Sequence, residues 1–454
     1  MIVMKFGGSS LASPVTIKNV TEVIKANLDK HPLVVVSAHG GATDLLFELA
    51  RGAVLGKYST DDFLALHRKM IYGLELDEEL IKEDIVELEE LLKGISYVKE
   101  LTPRSLDYVV SFGEKISSKI LAAHLNQSGL SAKACYAYDL GLRTDDTFGQ
   151  AAPLPESDKA IAESVASLGD TIAVVTGYVA MSLAGDITTL GRNGSDYTAS
   201  IFAAAIDADE VQLWTDVDGV MTADPRVVAH ASPLTELSFG EASELAYYGA
   251  QIIHPNTMIP AVKKKIPIRV LNTYKPSSPG TIVLSECEKD CEVVKAIAHK
   301  KHLTLIDVVS TRMLLQHGFM AKLFETFNRY RIVIDMIATS EVSVSLTTDT
   351  KKNIPAAVRE LSQFADVTVT ENMSIISIVG EGISKSHNVA ASVFSALADK
   401  GVNVRMISQG ATRINLAFLV VDEDAEAAVQ TLHRNFFEEE TDKSCLNSFS
   451  TETH

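Results

Sequence analysis

The segment Lys5-Phe6-Gly7-Gly8-Ser9-Ser10 sets a lysine at the end of a short apolar stretch, with two glycines directly after it. Glycines let backbone N–H groups approach an anion closely. A lysine delivered to the same place can neutralise charge on a transferring phosphoryl group. A tight strand-to-helix turn with a solvated lysine uses the same residues. The lysine precedes the glycines and no GxxxxGK[ST] occurs, so this is not a Walker loop; the HRD and DFG protein-kinase signatures are absent too.

A second cluster is Leu190-Gly191-Arg192-Asn193-Gly194-Ser195-Asp196. Arg192 can pair bidentately with a carboxylate and Asp196 can take an ammonium, which together suit a zwitterion. Equally, Ser195 or Asp196 can cap a helix over 197–205, and both readings can hold. Glu114, in Ser111-Phe112-Gly113-Glu114, is either a ligand-binding carboxylate or the last residue of a capping box with Ser111 as cap. A third cluster joins Thr215-Asp216-Val217-Asp218-Gly219-Val220 to Thr222-Ala223-Asp224-Pro225-Arg226. Its acids could meet a nucleotide or Mg²⁺ and Arg226 a phosphate; the alternative is two ordinary polar turns. Trp214, the only tryptophan, is expected in the core.

The elements that must carry these residues alternate. Short apolar runs at residues 1–6, 33–36, 172–175 and 211–214 each end at glycine, serine or threonine, and helical patterns lie between them. Ile81, Ile85, Leu88 and Leu92 mark one such helix. The alternation predicts a mostly parallel α/β sheet, in which ligands gather at the carboxyl ends of the strands. After about residue 285 the pattern changes. Phe319, Leu323, Phe324 and Phe327 recur as Val389, Val393, Phe394 and Leu397 on a helix face. Ile332, Ile334, Met336 and Ile337 recur as Val402, Val404, Met406 and Ile407, and residues 342–346 are answered by 414–418. Each copy reads helix, strand, turn, strand: a doubled α+β unit of a structural kind.

The 454 residues allow two to four domains, and 46% apolar content fills ordinary cores. A net charge of −18 makes nucleic acid and membrane surfaces poor partners. Cys135, Cys287, Cys291 and Cys445 form neither a disulfide framework nor a zinc quartet, so reduced thiols and no metal centre are expected. The N-terminus is too soon interrupted by Gly7 and Gly8 for a signal peptide, and no apolar run reaches the ~18 residues of a membrane helix. A cytoplasmic location is expected.

Taken together, KFGGSS at 5–10, VVVSAHGGATDLL at 34–46, SFGEKIS at 111–117, TTLGRNGSDYTA at 188–199, WTDVDGVMTADPR at 214–226 and GAQIIHP at 249–255 resemble the amino acid kinase family, and within it the aspartate kinases. GFMAKLFETF, IDMIATSEVSVSL and VRMISQGATRINLAFLV resemble a pair of ACT domains. The resemblance, to the lysine-sensitive monofunctional type, implies an amino acid kinase fold over 1–285. Two ferredoxin-like ACT domains over 304–370 and 371–440 would follow, the second with its first strand from 292–303, then a disordered tail over 441–454. No homoserine dehydrogenase module is expected.

The resemblance also implies roles. Lys5, Gly7, Gly8 and Ser9 would hold ATP phosphates, with Lys5 and Asp196 catalytic. Ser37, Thr43, Glu114, Arg192, Ser195 and Asp196 would bind L-aspartate, Arg192 on the α-carboxylate and Glu114 near the amine. Thr215, Asp216, Met221, Arg226 and Gln251 would meet the nucleotide; Gln251 stands where many relatives have lysine, and Met221 where some have tyrosine. The β-carboxylate would attack the γ-phosphorus of Mg-ATP, giving 4-phospho-L-aspartate, the first step toward lysine, threonine and methionine. Met313, Gln316, Phe319, Met320, Asp335, Ser340 and Glu341 match an allosteric effector site, for lysine first and threonine second. Asp335 and Glu341 would receive ammonium groups; the alternative is ordinary solvated charge at strand ends. ACT pairs imply a homodimer or larger. The rivals are a kinase of the same fold acting on acetylglutamate, glutamate or a nucleotide, and a non-catalytic amino-acid sensor with a degenerate kinase domain.

Overall fold

A computed structural model describes residues 1–249, 254–285, 293–313, 317–384, 386–410 and 414–438. The chain divides into two compact units. The first comprises Met1–Val220, Thr235–Phe239 and Ile253–Cys287; the second comprises Met221–Leu234, Gly240–Ile252 and Glu288–His454.

The first unit is built on a sheet in which Ala132–Cys135, Ile172–Thr176, Pro32–Val36, Ile2–Phe6, Glu210–Thr215, Ile268–Asn272, Thr281–Leu284 and Glu236–Ser238 lie side by side. Neighbours run parallel except where Ile268–Asn272 meets Thr281–Leu284. Strands covered on both faces must be apolar throughout, and every residue of Pro32–Val36 and Ile172–Thr176 is buried. Ile2–Phe6 sits between Pro32–Val36 and Glu210–Thr215. Chain order therefore departs in opposite directions on its two sides, and such a switch point opens a crevice at the strand's carboxyl end.

Two helices correct the expected caps. Pro103–Gln127 is one 25-residue helix, started by Thr102, whose hydroxyl accepts from the Ser105 N–H at 3.1 Å. Ser111 is in its middle and donates back to the Tyr108 carbonyl at 2.7 Å. Backbone N–H groups there already serve the helix, so no orphan donors exist for a capping box. The helix Gly194–Ala205 begins at Asn193, in the left-handed region at φ 56, without a side-chain cap. Neither Ser195 nor Asp196 caps it, and Asp196 lies in its first turn. Ile85, Leu88 and Leu92 are buried along the helix Lys82–Val98, and Trp214 is in the core, as the patterns predict.

The second unit carries an antiparallel sheet ordered Met336–Thr339, Ser343–Thr348, Ala296–Val309, Asp366–Val379, Asn415–Val421 and Met406–Ser408. Its two central strands are 14 residues each. Ala296–Lys300 pairs with Ile375–Val379, and beyond a register shift Leu305–Val309 pairs with Asp366–Thr370. Each half has its own apolar core. Phe319, Leu323 and Phe327 of the helix Phe319–Arg329 pack in one; Val389, Val393 and Leu397 of Val389–Asp399 pack in the other. The internal repeat is thus a repeat of packing. Ile332, Ile334, Val402 and Val404 precede the short strands and do not join them. Among the described residues no helix is long and apolar enough to cross a membrane.

Candidate active site

Lys5 lies one residue before the end of the central strand. Its ammonium is 2.5 Å from Asp196 Oδ1, both side chains being largely shielded from solvent. The contact is an ion pair without hydrogen-bond alignment, because Oδ1 has no hydrogen-bond partner. Asp196 stands in the first turn of its helix, where the positive end of the helix dipole favours a carboxylate. Two elements far apart in sequence therefore meet at the carboxyl end of the sheet.

The turn after the strand is tightly held. The Gly7 N–H donates to the Trp214 carbonyl at 3.2 Å. The Ser10 hydroxyl bonds Thr273 Oγ1 at 2.7 Å, and the Tyr274 hydroxyl donates to the Ser9 carbonyl at 3.1 Å. A methyl group on Gly8 would come within 3.1 Å of the Ala38 carbonyl. A side chain is crowded there because two strand-end loops approach each other at backbone distance. Ser37 donates its N–H to the Phe6 carbonyl at 3.1 Å, and Thr43 is half-buried in the first turn of the helix Ala42–Val54.

Glu114 is buried on the long helix. Its Oε1 accepts from the Ala38 N–H at 3.1 Å, while Oε2 is buried with no partner. Burial outweighs that hydrogen bond and pushes the carboxyl up to about 8. A buried acceptor without a donor is costly, and a ligand ammonium is the kind of group that would satisfy it. Arg192 is exposed and makes no ion pair among the described residues. Ser195 is buried against Gly177, where an added Cβ would sit 2.6 Å from the Ser195 Cβ. Thr215 donates to Asp216 at 3.1 Å, and Asp216 is exposed.

Other expected site residues are carried by the second unit. Met221 and Arg226 belong to the second unit. Arg226 is exposed and holds Asp224 through bonds of 2.7, 3.0 and 3.2 Å, so its guanidinium is already engaged by a neighbour. Gln251 and Gln316 lie outside the described residues. In the second unit Met313, Phe319 and Met320 pack with the first apolar core. The Ser340 hydroxyl bonds Ser343 Oγ at 2.6 Å, and Glu341 is exposed. Asp335 is neither free nor solvated. Its side chain is 2% exposed and pairs with Lys300 at 2.8 Å, and Lys300 also reaches Asp349 at 2.8 Å.

Two residues escape a reading of the sequence. Asp107 accepts from the Gly149 N–H, the Thr189 N–H and the Thr189 hydroxyl, each at 2.9 Å, and so anchors the strand leading into Arg192. No motif marks it. Tyr178 has φ 64, a conformation that costs a tyrosine on the order of 1 kcal/mol. Its N–H donates to Thr198 Oγ1 at 3.0 Å and its carbonyl accepts from the Leu190 N–H at 2.9 Å. Burial, with the Glu114 charge nearby, pushes its phenol up to about 12. The signal was available: Gly177-Tyr178 directly follows a buried strand.

The amino acid kinase family model matches residues 1–272, and the ACT domain model matches 306–363 and 376–436. Fold and site thus define a kinase of that class joined to two regulatory modules. Aspartokinase 1, chloroplastic, of Arabidopsis thaliana is 41% identical over 96% of this chain and 80% of that protein. The crystal structure of E. coli aspartokinase III with aspartate and ADP, in its R-state, superposes with a TM-score of 0.80 at 34% identity, covering 96% of this chain and all of that one. The T-state of the same enzyme, with lysine and aspartate, gives 0.76 at 35% identity and the same coverage. The chain belongs to the aspartokinases of the amino acid kinase family, which are ATP-dependent kinases.

Proposed function

We propose that the first unit transfers the γ-phosphoryl group of ATP to the β-carboxylate of L-aspartate, with the labour divided as follows. Arg192 takes the α-carboxylate and Glu114 the α-ammonium, while Ser37, Thr43 and Ser195 offer hydroxyls to the remaining oxygens. Gly7, Gly8 and Ser9 cradle the phosphates, and Lys5 neutralises charge as it develops on the transferring group. Asp196 aims Lys5. Thr215 and Asp216 meet the nucleotide, with Met221, Arg226 and Gln251 assigned to it by resemblance. Mg²⁺ arrives with ATP as part of the substrate. The β-carboxylate is ionised at neutral pH, so no general base is needed. The catalytic work is positioning and electrostatics.

The observation that most supports this reading is the buried, unpartnered Oε2 of Glu114 in the same strand-end region as the Lys5–Asp196 pair. A zwitterion's ammonium supplies the missing donor, and the exposed Arg192 is free for its carboxylate. We further propose that the second unit contains ACT domains over 304–370 and 371–440. They would bind lysine, or failing that threonine, near Glu341 and Asp335, within a homodimer or larger assembly in the cytoplasm. The lysine-bound T-state of the E. coli relative supports that effector.

The test is ADP release with Mg-ATP and aspartate, with lysine and threonine added in turn. Aspartate-dependent release supports the reaction, and the inhibiting amino acid names the effector. No release, with either amino acid still bound, would favour a sensor whose kinase unit is inactive.

A further inference from the structure

The residue after Glu114 opens on a different space. Lys115 is buried, 4% exposed, yet its ammonium makes no hydrogen bond or ion pair among the described residues. It lies 4.6 Å from the ring centre of Phe112, 4.9 Å from that of Tyr108 and 5.8 Å from that of Tyr136. It lines a cavity of about 430 Å³, within the range of small-molecule sites. The other walls come from the long helix, the helix Lys82–Val98, the loop after Ala132–Cys135 and the small sheet of Arg143–Thr144, Val179–Ser182 and Ile187–Thr189. Every lining residue belongs to the first unit.

The polar groups of this cavity sort by whether they are already used. Arg104 pairs with Asp186 at 2.7 Å. Glu87 accepts from the Tyr108 hydroxyl, and Tyr136 is engaged by Lys119. That leaves the Lys115 ammonium, which faces aromatic rings, and the Tyr138 hydroxyl without hydrogen-bond partners among the described residues, and both are donors. A ligand here must supply acceptor oxygen. Met181, Ile187 and the tyrosine rings form the rest of the surface, which suits an apolar or aromatic body. Glu87 and Asp186 on the wall oppose a dianion, so a single negative charge fits better than a phosphate. Burial also lowers the Lys115 pKa, and the nearby carboxylates of Glu87, Asp84 and Asp139 offset that only in part.

We propose that this cavity is a binding site for a small monocarboxylate with an apolar or aromatic body, with Lys115 as the counter-ion and Tyr138 as the second donor. It is separate from the aspartate site, and the assignment stands whether or not the kinase reading holds.

The probe is benzoate, titrated into the full chain by calorimetry, with inorganic phosphate as the competing class. Saturable benzoate binding is expected, weakened at least roughly tenfold in Lys115→Met, where the counter-ion is lost, and largely kept in Lys115→Arg. No benzoate binding, equal binding in Lys115→Met, or tighter binding of phosphate would overturn the proposal. Should Lys115→Met fail to melt cooperatively, the unmodified protein decides. Acylation of Lys115 by an N-hydroxysuccinimide ester, followed by mass spectrometry, should slow when benzoate is present. An unchanged labelling rate would sink the site.

Discussion

Aspartate binding should expel a proton from Glu114. The carboxyl is pushed up to about 8 by burial, backbone hydrogen bonding being too little to offset desolvation. At pH 7 roughly nine in ten free sites are therefore protonated. A substrate ammonium beside Oε2 favours the ionised form. Binding at pH 7 should then release roughly 0.9 proton, and the substrate's own carboxylates stay ionised throughout. Two pH units below its pKa only about one site in a hundred is ionised, against one in two at the pKa, so affinity should fall roughly fifty-fold from pH 8 to pH 6. Calorimetry in buffers of different ionisation enthalpy reads the proton count directly, as the slope of observed against buffer enthalpy. In Glu114→Gln the slope should vanish and the pH dependence flatten. A zero slope in the unaltered enzyme, or a slope that survives in Glu114→Gln, would refute the assignment of Glu114 to the ammonium.

The same shift bears on stability. The folded pKa of Glu114 is raised, so its contribution is fully present below the unfolded value of 4.5 and is lost as pH rises through about 8; the ligand-free melting temperature should fall across that window and recover when aspartate is added. The buried pair His39 and His67, with ring centres 5.3 Å apart, acts at the other end. Burial lowers both, His67 to about 4, so their contribution is present above 6.5 and is lost as pH falls toward 4; the melting temperature of His67→Gln should depend less on pH there. Lys5→Ala should lower turnover roughly 10²–10³-fold with a much smaller change in aspartate affinity, since Lys5 acts on developing charge; steady-state kinetics with near-normal turnover would remove it from catalysis. Asp335→Asn should relieve lysine inhibition while leaving uninhibited activity largely unchanged. It also breaks the pair with Lys300, but Lys300 is partly exposed and keeps Asp349, so only a modest loss of stability should accompany it, seen by denaturant unfolding.

Much of the architecture was readable along the chain. The four runs were readable as neighbouring strands of one sheet because strands covered on both faces are nearly continuously apolar, interrupted here by Lys5 and Gln212. The glycine at 8 was readable because close backbone approach crowds out a side chain. The doubled unit was visible because each copy must bury the same helix face. Local grammar misled at Ser111, which has the spacing of a cap inside a helix already begun at Thr102. It misled again at Asp196, which pairs with a lysine on the central strand instead of capping its own helix.

What pattern and composition settled was whatever depends on neighbours within a few turns: strand runs, helix faces, the repeat and the order of the motifs. The fold alone decided what depends on solvent and on distant partners. Glu114 becomes a high-pKa carboxyl only because it is buried with one oxygen unmatched. Asp335 loses its freedom only because the strand Ala296–Val309 brings Lys300 to it. Lys115, unremarked in the chain, becomes an unpaired ammonium facing a cavity. Desolvation and long-range pairing are properties of the packed molecule, and no local spacing encodes them.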